Sequence, residues 1–165
     1  VGNQWTYQVN YFNRDSLYRS HKETWPVDSV FYWGGDAWFC LVISSDEERK
    51  RYFKNSTLGL EELSFIMEYA DLLYKYPVDS TARWEVGWLY LLMSVISQRE
   101  EVEVMAGRFS DCVHYLQREA IILDWGAYDE SWINPGVGRV KSIKYNDNPW
   151  STDFIQSELV EYHLE

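Results

Sequence analysis

Cys112 and His114 stand two positions apart in a run, Cys112 to Gln117, that has the composition of a β-strand. Residues at i and i+2 of a strand share a face. A thiolate–imidazole pair is therefore one chemistry this spacing can encode, with the imidazole taking the thiol proton. The distance works against it. Two residues along a strand separate Cα atoms by about 6.5 Å, which is poor for a direct hydrogen bond. The competing reading is a packed cysteine beside a half-exposed histidine. His21 and His163 lie far away in sequence, and neither a His-Glu-x-x-His nor a Cys-x-x-Cys pattern of a zinc site occurs. Cys40 is the other cysteine. It could pair with Cys112 in an oxidising compartment if their Cα atoms came within about 7 Å. The reading favoured by chain length is two buried free thiols acting as small hydrophobes.

Carboxylates are plentiful: Glu61-Glu62, Glu100-Glu101, Glu103, Asp124, Asp129-Glu130, Asp147 and Asp153. A carboxylate-based hydrolase needs two of them in one cleft, about 5–10 Å apart. Most such residues belong on a solvated exterior. No Gly-x-Ser-x-Gly elbow, no glycine-rich phosphate loop followed by Lys-Ser/Thr and no Asp-x-Asp-x-Asp-Gly calcium loop is present. The expectation is a protein without catalytic residues, metal or cofactor, with the hydrolase kept as an alternative.

The composition points instead to rings. The chain holds 9 Trp, 13 Tyr and 7 Phe, 18% of its residues. Flat bulky side chains suit pleated sheets and cross-strand pairs, and they also suit hydrophobic or glycan ligands. Trp38, Trp84 and Trp88 are the candidate ligand-binding residues. Net charge is −11. A nucleic-acid binder needs a basic face, and the one basic run, Arg49-Lys50-Arg51, directly follows Asp46-Glu47-Glu48. Nucleic acid is excluded as a partner, and anionic membrane surfaces are disfavoured by the same sign. The expected partner is an unknown protein or a small apolar or glycan ligand. The longest apolar run, Trp88 to Ile96, falls far short of the roughly 18 residues of a transmembrane helix.

These residues must be positioned by strands. Trp5, Tyr7, Val9 and Tyr11 alternate with Gln4, Thr6, Gln8 and Asn10, the period of a strand with two unlike faces. Asn13 to Ser16 reads as a turn, Leu17 to Thr24 as a return strand, and Pro26 demotes or ends its continuation. Gly34-Gly35-Asp36 turns the chain into Trp38 to Ile43. Arg51 to Lys54 starts another strand. Over 58–76, Leu60, Leu63, Met67, Ala70 and Tyr74 recur at helical spacing, which predicts one short helix, although short strands fit the same residues. Trp84 to Ile96 reads as a long strand, or one that bends near Gly87, and Gln98 to Glu101 as a polar connection. The stretch from Val102 to Tyr145 organises the remainder. Val102 and Val104 alternate with Glu101 and Glu103, Gly107 supplies a positive φ, and Pro135-Gly136 a second turn. Cys112 to Gln117, Ala120 to Trp125, Val137 to Tyr145 and Val160 to Leu164 read as strands, with a turn over Gly126 to Glu130. The prediction is a single domain, residues 1–165, mainly all-β: one curled antiparallel sheet or half-barrel of about nine to eleven strands.

Three blocks also resemble a known group. Trp5-Thr6-Tyr7, Ala106-Gly107-x-Phe109-x-Asp111-Cys112 and Pro135-Gly136-Val137-Gly138-x-Val140-Lys141 resemble an uncharacterised family of bacterial extracytoplasmic domains, many of them lipoproteins. Met105 stands where that family has proline before Ala-Gly. The resemblance implies an antiparallel β fold outside the cytoplasm, in the periplasm or at the cell surface, and no reaction. A signal or lipid-anchor segment would then lie upstream of Val1. A half-barrel over a helix would further resemble periplasmic lipoprotein carriers of the LolA type, which gives the alternative of a lipid or lipoprotein carrier.

Overall fold

The computed structural model of the protein describes residues 2–43, 49–64, 69–87, 91–119, 128–145 and 152–165. Twelve strands follow in order: β1 (Gln4–Asn13), β2 (Ser16–Trp33), β3 (Asp36–Ile43), β4 (Arg49–Ser56), β5 (Gly59–Ser64), β6 (Tyr69–Lys75), β7 (Arg83–Val86), β8 (Leu91–Val104), β9 (Gly107–Glu119), β10 (Tyr128–Asn134), β11 (Gly138–Tyr145) and β12 (Phe154–His163). They form one antiparallel sheet in the order β6-β5-β4-β3-β2-β1-β12-β11-β10-β9-β8-β7. Each half is a simple up-and-down meander, and the halves join where β1 pairs with β12.

So many twisted strands curl on themselves, and the two edges, β6 and β7, approach each other. Three side-chain bonds mark this seam. Trp84 Nε1 donates to Leu72 O at 2.8 Å, the Gly87 N–H to Asp71 Oδ1 at 2.9 Å, and Tyr115 OH to Lys75 O at 2.7 Å. The result is a nearly closed barrel.

The all-β curled sheet is as expected, with five local corrections. Twelve strands form among the described residues rather than about nine to eleven. The short helix predicted over 58–76 does not form in its described residues, which are the β5–β6 hairpin. Leu63 pairs with Ala70 and Leu60 with Tyr74 across that hairpin, so the spacing that mimics a helix is a cross-strand register. Gly59 opens β5 at φ 142, and a Cβ there would meet Tyr74 O at 2.0 Å. Gln98 to Glu101 is not a connection but part of β8, which absorbs its polar residues in register irregularities between Val95 and Val102. Pro26 does not end its strand, and of the two expectations the edge-like continuation is the one that holds. β2 pairs with β1 up to Pro26 and with β3 from Val27 onward, so each half has one unladdered side, the situation in which proline is tolerated. Tyr128 to Glu130 opens β10 instead of turning. The strand expected over Ala120 to Trp125 lies outside the described residues. At the Pro135-Gly136 turn the positive φ belongs to Gly138, at 101°, while the Gly136 N–H donates to Asn134 Oδ1 at 3.0 Å.

The core is concentrated where the β8–β9 hairpin folds back. Its tip, Met105-Ala106, is docked by an Ala106 N–H bond to Leu159 O at 2.9 Å. Val102, Val104 and Phe109 cluster there with Tyr7, Val140 and Leu159, the last two wholly buried. Burying such a side chain stabilises the fold by roughly 1.5–3 kcal/mol. Both cysteines are buried and free.

Candidate binding site in the barrel lumen

The alternation of the first strand decides what the barrel encloses. Trp5, Tyr7, Val9 and Tyr11 all line the interior, a cavity of about 1690 Å³. Cross-strand partners of an antiparallel ladder share a face, so Trp25, opposite Trp5, and Ile155, opposite Tyr11, line it too. Leu41, Ile43 and Phe53 extend the apolar wall through β3 and β4. The Tyr7 and Trp25 rings lie 5.0 Å apart at 58°.

Charged side chains also line this interior, Glu23, Arg51, Glu62, Asp71, Asp129 and Arg139 among them. Arg51 is neutralised by Glu62, Nε to Oε1 and Nη2 to Oε2 both at 2.6 Å. Burial works to lower the Arg51 pKa, but the Glu62 carboxylate outweighs it and holds the guanidinium above its usual value. Asp71 accepts from Gly87 N–H at the seam. Burial nevertheless pushes its carboxyl above the ordinary range, with Glu62 adding to the shift. Arg139 is different. Its guanidinium carbon lies 4.3 Å from the centre of the Trp25 ring and 5.0 Å from that of Tyr7, and its Nε is buried with no hydrogen-bond partner. The Tyr7 hydroxyl donates to Arg139 O at 3.0 Å. Burial raises the Tyr7 pKa against the opposing pull of the Arg139 charge.

Trp38 and Trp84, two of the three tryptophans singled out by sequence, lie elsewhere. Trp38 is wholly buried, donating from Nε1 to Trp33 O at 3.3 Å under the Lys54 ammonium, 4.9 Å from its ring. Trp84 is half-buried and bonded across the seam. Neither is among the described residues that line the lumen, and the structure does not bring them together there. Trp88 lies outside the described residues. Trp25, Arg139 and the Arg51–Glu62 pair had no motif to announce them. Only the face shared with Trp5 and Tyr7, once registers are known, reveals them.

A second constellation occupies the opposite face of β9 and β10. His114 Nε2 lies 2.9 Å from Glu130 Oε2 and its Nδ1 lies 3.4 Å from Glu100 Oε1. Its ring stacks on Trp132 at 4.1 Å, and Trp132 Nε1 donates to Glu100 Oε2 at 2.6 Å. Cys112 does not join His114. Its Sγ faces Phe109 O at 3.6 Å, and burial pushes the thiol pKa up to about 11, the reverse of nucleophile activation. Among the described residues no group of three or more His, Cys, Asp or Glu side chains could hold a metal ion. The arrangement is a strand-to-strand brace.

The likeness to known proteins lies in this architecture. No protein-family model matches the chain, and no curated protein does. Two solved structures share its fold. One is from Bacteroides fragilis, described as exported and as having a YmcC-like fold. It has a TM-score of 0.62 at 13% identity, covering 99% of this chain and 96% of that one. The other is from Parabacteroides distasonis, described as a lipoprotein, with a TM-score of 0.50 at 14% identity over 98% and 95% of the two chains. The shared feature is the whole barrel, since nearly all of each chain takes part.

Proposed function

We propose that this protein is a non-enzymatic extracytoplasmic domain that holds a hydrophobic ligand inside its barrel. The observation that carries this reading is the lumen itself: about 1690 Å³, with aromatic and aliphatic side chains from both meanders interspersed with polar and charged ones. Packed barrels fill their interiors with side chains, and an unfilled apolar interior is how a barrel holds a ligand. The location is supported by the three sequence blocks and by the two similar folds, one described as exported and one as a lipoprotein. Among alternatives, a lipid or lipoprotein carrier uses the same cavity and differs only in delivering its cargo. A carboxylate-based hydrolase has less support: Glu62 and Asp71 do line the lumen opposite each other, but Glu62 is held by Arg51 on both oxygens and Asp71 accepts the Gly87 N–H at the seam.

The test is titration with N-phenylnaphthylamine, whose fluorescence rises in apolar surroundings. The expected result is a saturable rise in the wild type that is suppressed at least tenfold by Leu41→Asp and by Ile155→Asp. A rise of the same size in these variants, with folding intact by circular dichroism, would overturn the reading.

A further inference from the structure

We infer that the lumen ligand is an anionic amphiphile, an alkyl or acyl chain ending in an oxyanion, and that Arg139 receives the anionic end. This deepens the proposed lumen-binding function and rests on it.

Of the cations that line the lumen, Arg49, Lys50 and Lys144 are exposed to solvent and Arg51 is paired, whereas Arg139 is drawn inward with its Nε buried and unbonded. Among the described residues no carboxylate forms an ion pair with it, whereas Arg51 has Glu62 and Lys54, on the outside, has Asp36 and Glu61. Glu23, the acidic neighbour beside Trp25, is already engaged. It accepts from Trp25 Nε1 at 3.3 Å and pairs with His21 at 3.1 Å. The two rings stabilise the Arg139 charge through their faces and the Tyr7 hydroxyl shares a side-chain hydrogen bond with the guanidinium, but its buried Nε has no partner. An uncompensated charge in a poorly solvated interior is costly. A guanidinium is a planar fork of N–H donors that receives a carboxylate or phosphate in bidentate fashion, and here its carbon lies 4.3 Å from the Trp25 ring centre. The apolar wall of Val9, Leu41, Ile43 and Phe53 provides for the chain behind that head. Polar capture at one point and apolar cover elsewhere is the pattern of a site for one amphiphile.

Calorimetric titration of the wild type and of Arg139→Gln with dodecanoate, dodecyl phosphate and dodecanol tests this. In the wild type at least one of the two anions is expected to bind about tenfold or more tighter than dodecanol, the contribution of a charge-assisted bond. In Arg139→Gln that preference is expected to vanish while dodecanol affinity is retained. The tighter of the two anions distinguishes a carboxylate from a phosphate head. Equal binding of dodecanol and both anions to the wild type overturns the inference and leaves the lumen reading standing. That comparison needs no variant. Binding of none of the three overturns both.

Discussion

The indole N–H of Trp84 donates to the carbonyl of Leu72 at 2.8 Å and so joins the two edges of a sheet that no continuous ladder closes. A barrel edge is a row of unpaired backbone groups, and covering or bridging it is what keeps it from pairing with another chain. Trp84→Phe keeps the ring and removes the donor. It is expected to cost about 0.5–1.5 kcal/mol of stability, measured by urea denaturation, and to speed amide hydrogen exchange in β6 and β7 ahead of β1 and β12. Uniform exchange in both regions would mean the bond does not hold the seam.

Acid should loosen the brace on β8. Burial acts to raise the Glu100 pKa, but hydrogen bonds from Ser97 and Trp132 and the His114 charge win. The carboxyl lies below its ordinary value of 4.5. A depressed carboxyl contributes stability that is present above the ordinary value and lost as pH falls through the folded one. The wild type should therefore exceed Glu100→Gln in Tm at pH 6, and the gap should close below about pH 4.5. A gap that widens on acidification would contradict this assignment.

The thiols should be silent in the native protein. Cys112 is wholly buried with its pKa raised to about 11, and Cys40 is buried as well. Ellman's reagent at pH 8 is expected to find no reactive thiol until denaturant is added, and then both. Rapid native labelling of one thiol would place it in an accessible site.

Trp38 anchors the β3–β4 region rather than meeting solvent. Its truncation to alanine is expected to cost roughly 3–5 kcal/mol, a large share of the total stability of a domain. Chemical denaturation measures it. A loss under 1 kcal/mol would mean the site collapses around the smaller side chain.

How far the sequence carried these conclusions varies along the chain. Trp5, Tyr7, Val9 and Tyr11 were readable as one face because the period of two is local, and that face proves to be the lumen wall. The segment over 58–76 was misread for an equally physical reason. In a hairpin, Leu63 opposes Ala70 and Leu60 opposes Tyr74, and such intervals coincide with those of a helical stripe. The continuation of β2 through Pro26 depends on a change of partner from β1 to β3, which no local pattern records. Arg139 against Trp25, and His114 between Glu100 and Glu130, join residues from different strands. Their meeting is a matter of register and curl, so neither could be found in a one-dimensional reading.

The central claim is that the barrel interior, not its outer surface, takes up a hydrophobic chain. Trp5 and Trp25 line that interior, and bromine atoms quench tryptophan only at close range. Titration with a dibrominated stearate is the direct measurement. The account predicts saturable quenching in the wild type that falls sharply when Trp5 and Trp25 are both replaced by phenylalanine. Equal quenching in that double variant, or none in the wild type, would contradict it.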